Sequence, residues 1–254
     1  HMRSKDGDKM QNNFFRNRVT VKLGQQARNL EARLKKLEDV KRPDSLKNYK
    51  ITMKSDGVHD KKLVTVDGVF KSYGDKKILE GMSLEVRGHD RLRVQGPNGS
   101  GKSTLLKLIA SRLSADAGNV ALSADLNSGY FSQDVDGLNY EVSALENITV
   151  DGISKTDLYR SAMSMGLDQS DLKKLPNELS RGQQAKLAFT KLLLGRHDLI
   201  ILDEPTNHLD IPTKERLESA LNDYDGALII ASHDTYFVRA INITRHFKLK
   251  KSVL

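Results

Sequence analysis

Residues 199–210 read Leu-Ile-Ile-Leu-Asp-Glu-Pro-Thr-Asn-His-Leu-Asp. Four apolar residues in a row predict a strand buried on both faces, and two adjacent carboxylates, Asp203 and Glu204, follow at its carboxyl end. Two acids in that position are costly unless something cationic faces them. In an open α/β sheet the carboxyl ends of the strands are where ligands bind, so a metal ion or a metal-bound phosphate is the natural partner.

A second stretch supplies the phosphate side. Arg91-Leu92-Arg93-Val94 reads as a short strand leading into Gly96-Pro97-Asn98-Gly99-Ser100-Gly101-Lys102-Ser103-Thr104, and Leu105 to Ala110 continues as a helix. This is a complete GxxxxGK[ST] phosphate loop with a strand before it and a helix after it. Its glycines let successive backbone N–H groups close round a β-phosphate at a helix N-terminus. Lys102 then reaches the β- and γ-phosphates, and the Ser103 hydroxyl helps to hold Mg²⁺.

Around these two stretches the chain is ordinary for a globular protein: 254 residues, 38% hydrophobic and 29% charged. It has no cysteine, which excludes a disulfide framework, a thiolate nucleophile and a Cys-based zinc site. No apolar run is long enough for a membrane span and nothing at the start resembles a signal peptide, so a cytoplasmic protein is expected. His1-Met2 resembles a cloning remnant, and the chain is expected to be a piece of something longer. The charge is unevenly spread. Residues 1–62 hold 17 Lys and Arg against 8 Asp and Glu, whereas residues 63–254 hold 24 against 25. A basic arm on a nearly neutral body points to a polyanion: RNA, DNA or an acidic membrane face.

Within that arm Leu23, Ala27, Leu30, Leu34 and Leu37 alternate steps of four and three, a seam of about two heptads. That length suits one arm of an antiparallel helical hairpin. Pro43 ends the helix and Ser45 to Lys62 reads as a polar linker. Val64–Val69 and Ile78–Val86 are expected strands with a turn at Tyr73-Gly74-Asp75, and Ser128–Ser132 is a strand delivering Gln133. Residues 140–178 read as a small helical subdomain whose local core includes Leu158, Met163, Leu167, Leu172 and Leu175. Leu179-Ser180-Arg181-Gly182-Gln183 then opens a helix through Leu194, with Ser180 as its N-cap. A helix over Pro212–Leu221, a buried strand over Gly226–Ala231 ending in Ser232-His233-Asp234, and a basic strand from Thr244 complete the chain.

Taken in order, the phosphate loop, Gln133, the Leu-Ser-x-Gly-Gln element, Asp203-Glu204 and His233 resemble an ABC-type ATPase domain over residues 63–254. Asp203-Glu204-Pro205-Thr206-Asn207-His208-Leu209-Asp210 is similar to the signature of the ABC-F family, tandem ATPases that act on ribosomes. The resemblance implies an α/β fold in which a mixed sheet core carries a β-subdomain and a small helical subdomain. It implies three parts: a helical linker arm at 1–45, a connector at 46–62 and the ATP-binding domain at 63–254. ATP and Mg²⁺ are the implied cofactors. Tyr73 would stack on adenine or simply pack at its turn, and Gly96, Asn98, Gly99, Ser100, Gly101, Lys102, Ser103 and Thr104 would cradle the phosphates. Ser103, Gln133 and Asp203 would complete the Mg²⁺ shell, Glu204 would polarise the attacking water, and His233 would orient it. Ser180, Gly182 and Gln183 would complete the site of an opposite ABC domain, or of a second copy, and Asp210 would communicate between the two sites. Arg181 stands where the family usually carries glycine. The basic arm would lie against tRNA and ribosomal RNA.

Three alternatives use the same motifs differently. The ATPase subunit of a membrane transporter leaves the basic arm without a purpose. A chromosome-maintenance ATPase needs a very long coiled coil between Lys102 and Ser180, and those residues are too close in sequence. A non-enzymatic nucleic-acid module requires a dead site, yet every expected catalytic residue is present.

Overall fold

The computed structural model of the protein describes residues 61–250, apart from Gln133, Asp136 and His208. The expected linker arm, most of the connector, the last four residues and the Gln133 ligand lie outside those described.

Two sheets divide the strands by direction. Strands β1 (Lys62–Tyr73), β2 (Lys76–Arg87) and β4 (Ala117–Leu122) form an antiparallel sheet in the order β2-β1-β4. Strands β3 (Arg91–Gln95), β5 (Ser128–Phe131), β6 (Leu199–Asp203), β7 (Ala227–Ala231) and β8 (Arg245–Lys248) form a parallel sheet in the order β5-β6-β7-β3-β8. The mixed character expected from the sequence is therefore sorted into two sheets. Parallel strands need crossovers, and helices α1 (Lys102–Ile109), α4 (Arg181–Leu194), α5 (Ile211–Asp223) and α6 (Thr235–Ala240) supply them. Short helices α2 (Ala144–Asn147) and α3 (Lys155–Ser164), with two single 3₁₀ turns, make up the helical subdomain.

Period-2 geometry distributes β6 between two cores. Leu199 and Ile201 pack with α1 and the β1–β2 side, whereas Ile200 and Leu202 pack with α4, α5 and the helical subdomain. All four are fully buried, each stabilising the fold by roughly 1.5–3 kcal/mol relative to exposure. Strand β7 repeats the division, with Ile229 on one side and Leu228 and Ile230 on the other. A Phe131–Phe189 ring stack at 3.8 Å ties the edge strand β5 to α4. At the opposite end of β3 the Arg91 guanidinium donates to the carbonyls of Leu221, Tyr224 and Ile241, filling acceptors left open where α5 and α6 stop.

In the helical subdomain Leu158, Ala162 and Met165 are buried at helical spacing, and Leu167 and Leu172 join them. Met163 and Leu175 are expected core residues that the structure places in solvent, at 42% and 37% exposure. Met163 falls one position off the 158–162–165 stripe, and Leu175 immediately precedes the 3₁₀ turn that starts at Pro176.

Candidate functional site

The C-terminal ends of β3, β7 and β6 lie side by side, so three loops meet at one edge of the parallel sheet. The loop after β3 is the phosphate loop. Gly99 and Gly101 adopt left-handed backbone, φ +76° and +91°, and Gly101 is the N-cap of α1. Lys102 folds back, its ammonium donating to the carbonyls of Gly96 at 3.0 Å and Pro97 at 3.2 Å. Gly96 serves packing: a Cβ there would stand 2.4 Å from Ser100 Oγ and 2.9 Å from the Leu249 carbonyl.

The loop after β6 carries the two acids, and their environments differ. Asp203 is buried, and its Oδ1 has no hydrogen-bond partner among the described residues. Burial pushes its carboxyl above the usual aspartate range, while the Ser103 hydroxyl pulls the other way. Glu204 turns away at φ +46°, left-handed backbone that a non-glycine residue adopts at a cost of order 1–3 kcal/mol. Its N–H donates to the Ala231 carbonyl at 2.8 Å, fastening the turn to the end of β7. That turn delivers the carboxylate to His233: the His233 backbone N–H donates to Glu204 Oε2 at 3.2 Å, and His233 Nε2 lies 3.5 Å from Oε1.

A cleft of about 510 Å³ runs between these loops. Asn98, Gly99 and Gly101 to Thr104 line one wall, and Glu204, Asn207 and His233 line the other. Eight of the eleven lining residues are among those singled out from the sequence, and three are not. Asn207, part of the Asp203–Asp210 signature stretch, is given no cleft role by the sequence, and Lys76 and Ile78, from β2, lie in a hairpin whose aim no local motif reveals. Gly96 and Ser100 support the loop from beneath without joining the lining. Tyr73, at the far end of β1, is 53% exposed and outside it.

The Leu-Ser-x-Gly-Gln element is elsewhere in the molecule and is satisfied internally. Ser180 Oγ accepts the Gln183 N–H at 3.3 Å while Gln183 Oε1 accepts the Ser180 N–H at 2.9 Å, a capping box at the start of α4. Gln183 Nε2 donates to Asp171 Oδ1 at 2.9 Å. Arg181 is exposed at the first position of α4. Asp210 caps α5 through the Thr213 N–H at 2.9 Å and pairs with Lys186 of α4 at 2.7 Å. The Lys186 ammonium, with Thr213, holds the Asp210 carboxyl down at about 2.

A divalent cation fits the first of these regions. Asp203 and Ser103 are hard oxygen donors side by side, one of them a buried carboxylate with an open lone pair.

A protein-family model described as ABC transporter matches residues 79–207. The chain is 33% identical over 222 residues to ABC transporter F family member 2 of Arabidopsis thaliana, covering 85% of this chain and 33% of that protein. It is 30% identical over 237 residues to the ribosome protection protein VmlR of Bacillus subtilis, covering 92% and 43% respectively. Among solved structures, the dimeric structure of MJ0796, a bacterial ABC transporter cassette, has the same fold, with a TM-score of 0.62, 23% identity, and coverage of 74% of this chain and 95% of that one. The chain spans about a third of the length of the first curated relatives it matches. Among the described residues no helix is long and apolar enough to cross a membrane.

Proposed function

This chain belongs to the ABC-F group of the ABC transporter family, and from that premise we propose that its cleft binds Mg-ATP and hydrolyses it once a second ABC domain covers it. The observation that carries the proposal is the position of Glu204 and His233 across one cleft from the phosphate loop. Lys102 would exchange the Gly96 and Pro97 carbonyls for phosphate oxygens, a stronger charge-assisted contact. Ser103 and Asp203 would hold the ion together with Gln133, and the ion would neutralise charge on the β- and γ-phosphates. Glu204 lines the cleft with His233 Nε2 3.5 Å from its Oε1, and its carboxylate would accept a hydrogen bond from an attacking water. His233, whose side chain is 56% exposed, would reach the γ-phosphate side. Tyr73, exposed on the hairpin tip, would close over the adenine.

Ser180, Gly182 and Gln183 cannot act on this cleft and would complete the partner's, with Asp210 near the same junction. The partner is a second ABC domain of a longer protein or another copy of this chain. In the whole protein, ATP-driven closure would set the basic residues of 1–62 against tRNA and ribosomal RNA, a ribosome-associated role for which the likeness to VmlR gives the support.

ATP turnover measured across a range of protein concentrations tests the first half. The rate per chain should climb as dimers form; concentration-independent turnover by a monomer would refute the composite site. For the second half, a Glu204→Gln version of the full-length protein should remain on ribosomes through sedimentation with ATP, and wild-type-like release would count against it.

A further inference from the structure

The β1–β2 hairpin meets the phosphate loop through a bulge. Strand register steps from Lys71↔Leu79 to Ser72↔Lys77, leaving Ile78 as an extra residue on β2. Bulges re-aim side chains and are common beside functional sites. Here the fit is close: a Cβ at Gly101 would stand 2.8 Å from Ile78 Cγ2 and 2.9 Å from Leu79 Cδ2. With Ile78 pressed on the loop, Lys76 is carried to the mouth of the cleft and joins its lining.

Lys76 and Lys102 are the two ammonium groups in that lining. Neighbouring lysines on the hairpin are already paired, Lys71 with Asp116 at 2.6 Å and Lys77 with Glu80 at 3.9 Å. Lys76 is exposed and has no carboxylate partner among the described residues. Direction along the cleft then assigns its target. With the β-phosphate in the loop and the γ-phosphate toward Glu204 and His233, the α-phosphate and ribose extend toward β2.

We propose that Lys76 is a second nucleotide-binding cation, contacting the α-phosphate; this rests on the reading of the cleft as an ATP site. A compact ammonium on a flexible stem suits a phosphate oxygen at an open cleft mouth. Since ATP and ADP share the α-phosphate, Lys76 strengthens both to the same degree, and it does not help the domain to tell them apart.

The test is equilibrium binding of ATP and ADP to wild type, Lys76→Ala, Lys76→Arg and Lys77→Ala. Lys76→Ala should weaken both nucleotides by a similar factor, about tenfold, as expected for one charged hydrogen bond. Lys76→Arg should recover most of that loss because the charge is kept, and Lys77→Ala should stay within about twofold of wild type. The ionic-strength dependence of binding should also be shallower in Lys76→Ala. Equal behaviour of Lys76→Ala and Lys77→Ala would overturn the proposal, and so would a loss confined to ATP, which would move the contact to the γ-phosphate. Failure of the wild-type protein to bind either nucleotide would instead overturn the ATP reading itself, and this inference with it.

Discussion

The phosphate loop and the start of α4 carry equally recognisable motifs, yet their polar groups are satisfied in opposite ways. Around the phosphate loop, Ser100 Oγ, Asp203 Oδ1 and Glu204 Oε1 are enclosed without hydrogen-bond partners among the described residues, with His233 Nε2 3.5 Å from Glu204 Oε1, and Lys102 donates to two loop carbonyls. At the start of α4, Ser180 and Gln183 answer each other, and Gln183 also reaches Asp171. Unpaired buried polar atoms are expensive, and on the proposed reading the bound Mg-ATP would meet the demand of the first region. At the second, Ser180 and Gln183 make no such demand, although Gln184 Oε1, one residue on, is also buried without a hydrogen-bond partner among the described residues. On the proposed reading, a group that serves its own chain's ligand is left without a protein partner, whereas a group that would serve a neighbour's ligand is satisfied as a helix cap.

The largest expected effect separates the two regions through chemistry. Glu204→Gln removes the proposed base but keeps the shape and the hydrogen bond from the His233 N–H. Hydrolysis should fall by about 10²–10⁴-fold with ATP affinity nearly unchanged. Single-turnover kinetics beside a binding titration measure both, and a loss below tenfold would leave Glu204 without the role of base.

Next in size is a change that damages the loop itself. Gly101→Ala combines φ +91° with a Cβ 2.8 Å from Ile78 Cγ2, so strain and overlap act together. A stability loss of about 2–4 kcal/mol is expected, with loss of nucleotide binding. Gly74→Ala, left-handed at φ +57° but with nothing within 4 Å, should lose only about 1 kcal/mol and bind normally. Chemical denaturation of the two variants distinguishes the contributions, and equal losses would mean that the Ile78 contact is unimportant.

At the start of α4 the prediction inverts. Ser180→Ala removes an N-cap and should destabilise the domain by about 1 kcal/mol while leaving its own ATP affinity alone. Hydrolysis by the paired domains should nevertheless fall steeply. An unaffected paired rate would make Ser180 a cap and nothing more.

What could be read from the sequence followed the same division between local and distant causes. The phosphate loop, β6 and the Ser180 cap are contiguous patterns, and each fell where its pattern placed it. Strand β4 was missed because Ala-Gly-Asn-Val-Ala-Leu shows no period-2 stripe: it is a mostly exposed edge strand held by backbone pairing to β1. Both hairpin strands run further than their apolar cores suggest, to Tyr73 and from Lys76, because ladder hydrogen bonds continue past the last buried residue. The positions of Lys76 and Asn207 in the cleft depend on a bulge and on a loop that returns beside Glu204, and no spacing in the chain announces either.

The smallest expected effect concerns Asp210, the residue that joins the two regions' elements. Its carboxylate caps α5 and pairs with Lys186 on α4, which lowers its pKa from the ordinary 3.8 to about 2. A carboxyl lowered on folding contributes stability that is complete above about pH 4 and drains away as pH falls toward about 2. The pair is half exposed on the aspartate side, at 52%, so solvent screens it and only a few tenths of a kcal/mol is expected from the charge. Asp210→Asn keeps a competent cap and removes that charge, so acid denaturation between about pH 4 and pH 2 should become slightly shallower with little change at pH 7. If coupling between domains runs through this carboxylate, the same variant will slow ATP hydrolysis in the paired protein far more than it softens the fold. A stability loss above about 2 kcal/mol at pH 7 would instead place Asp210 with the internally demanding groups of the phosphate loop, and the contrast between the two regions would no longer hold at their junction.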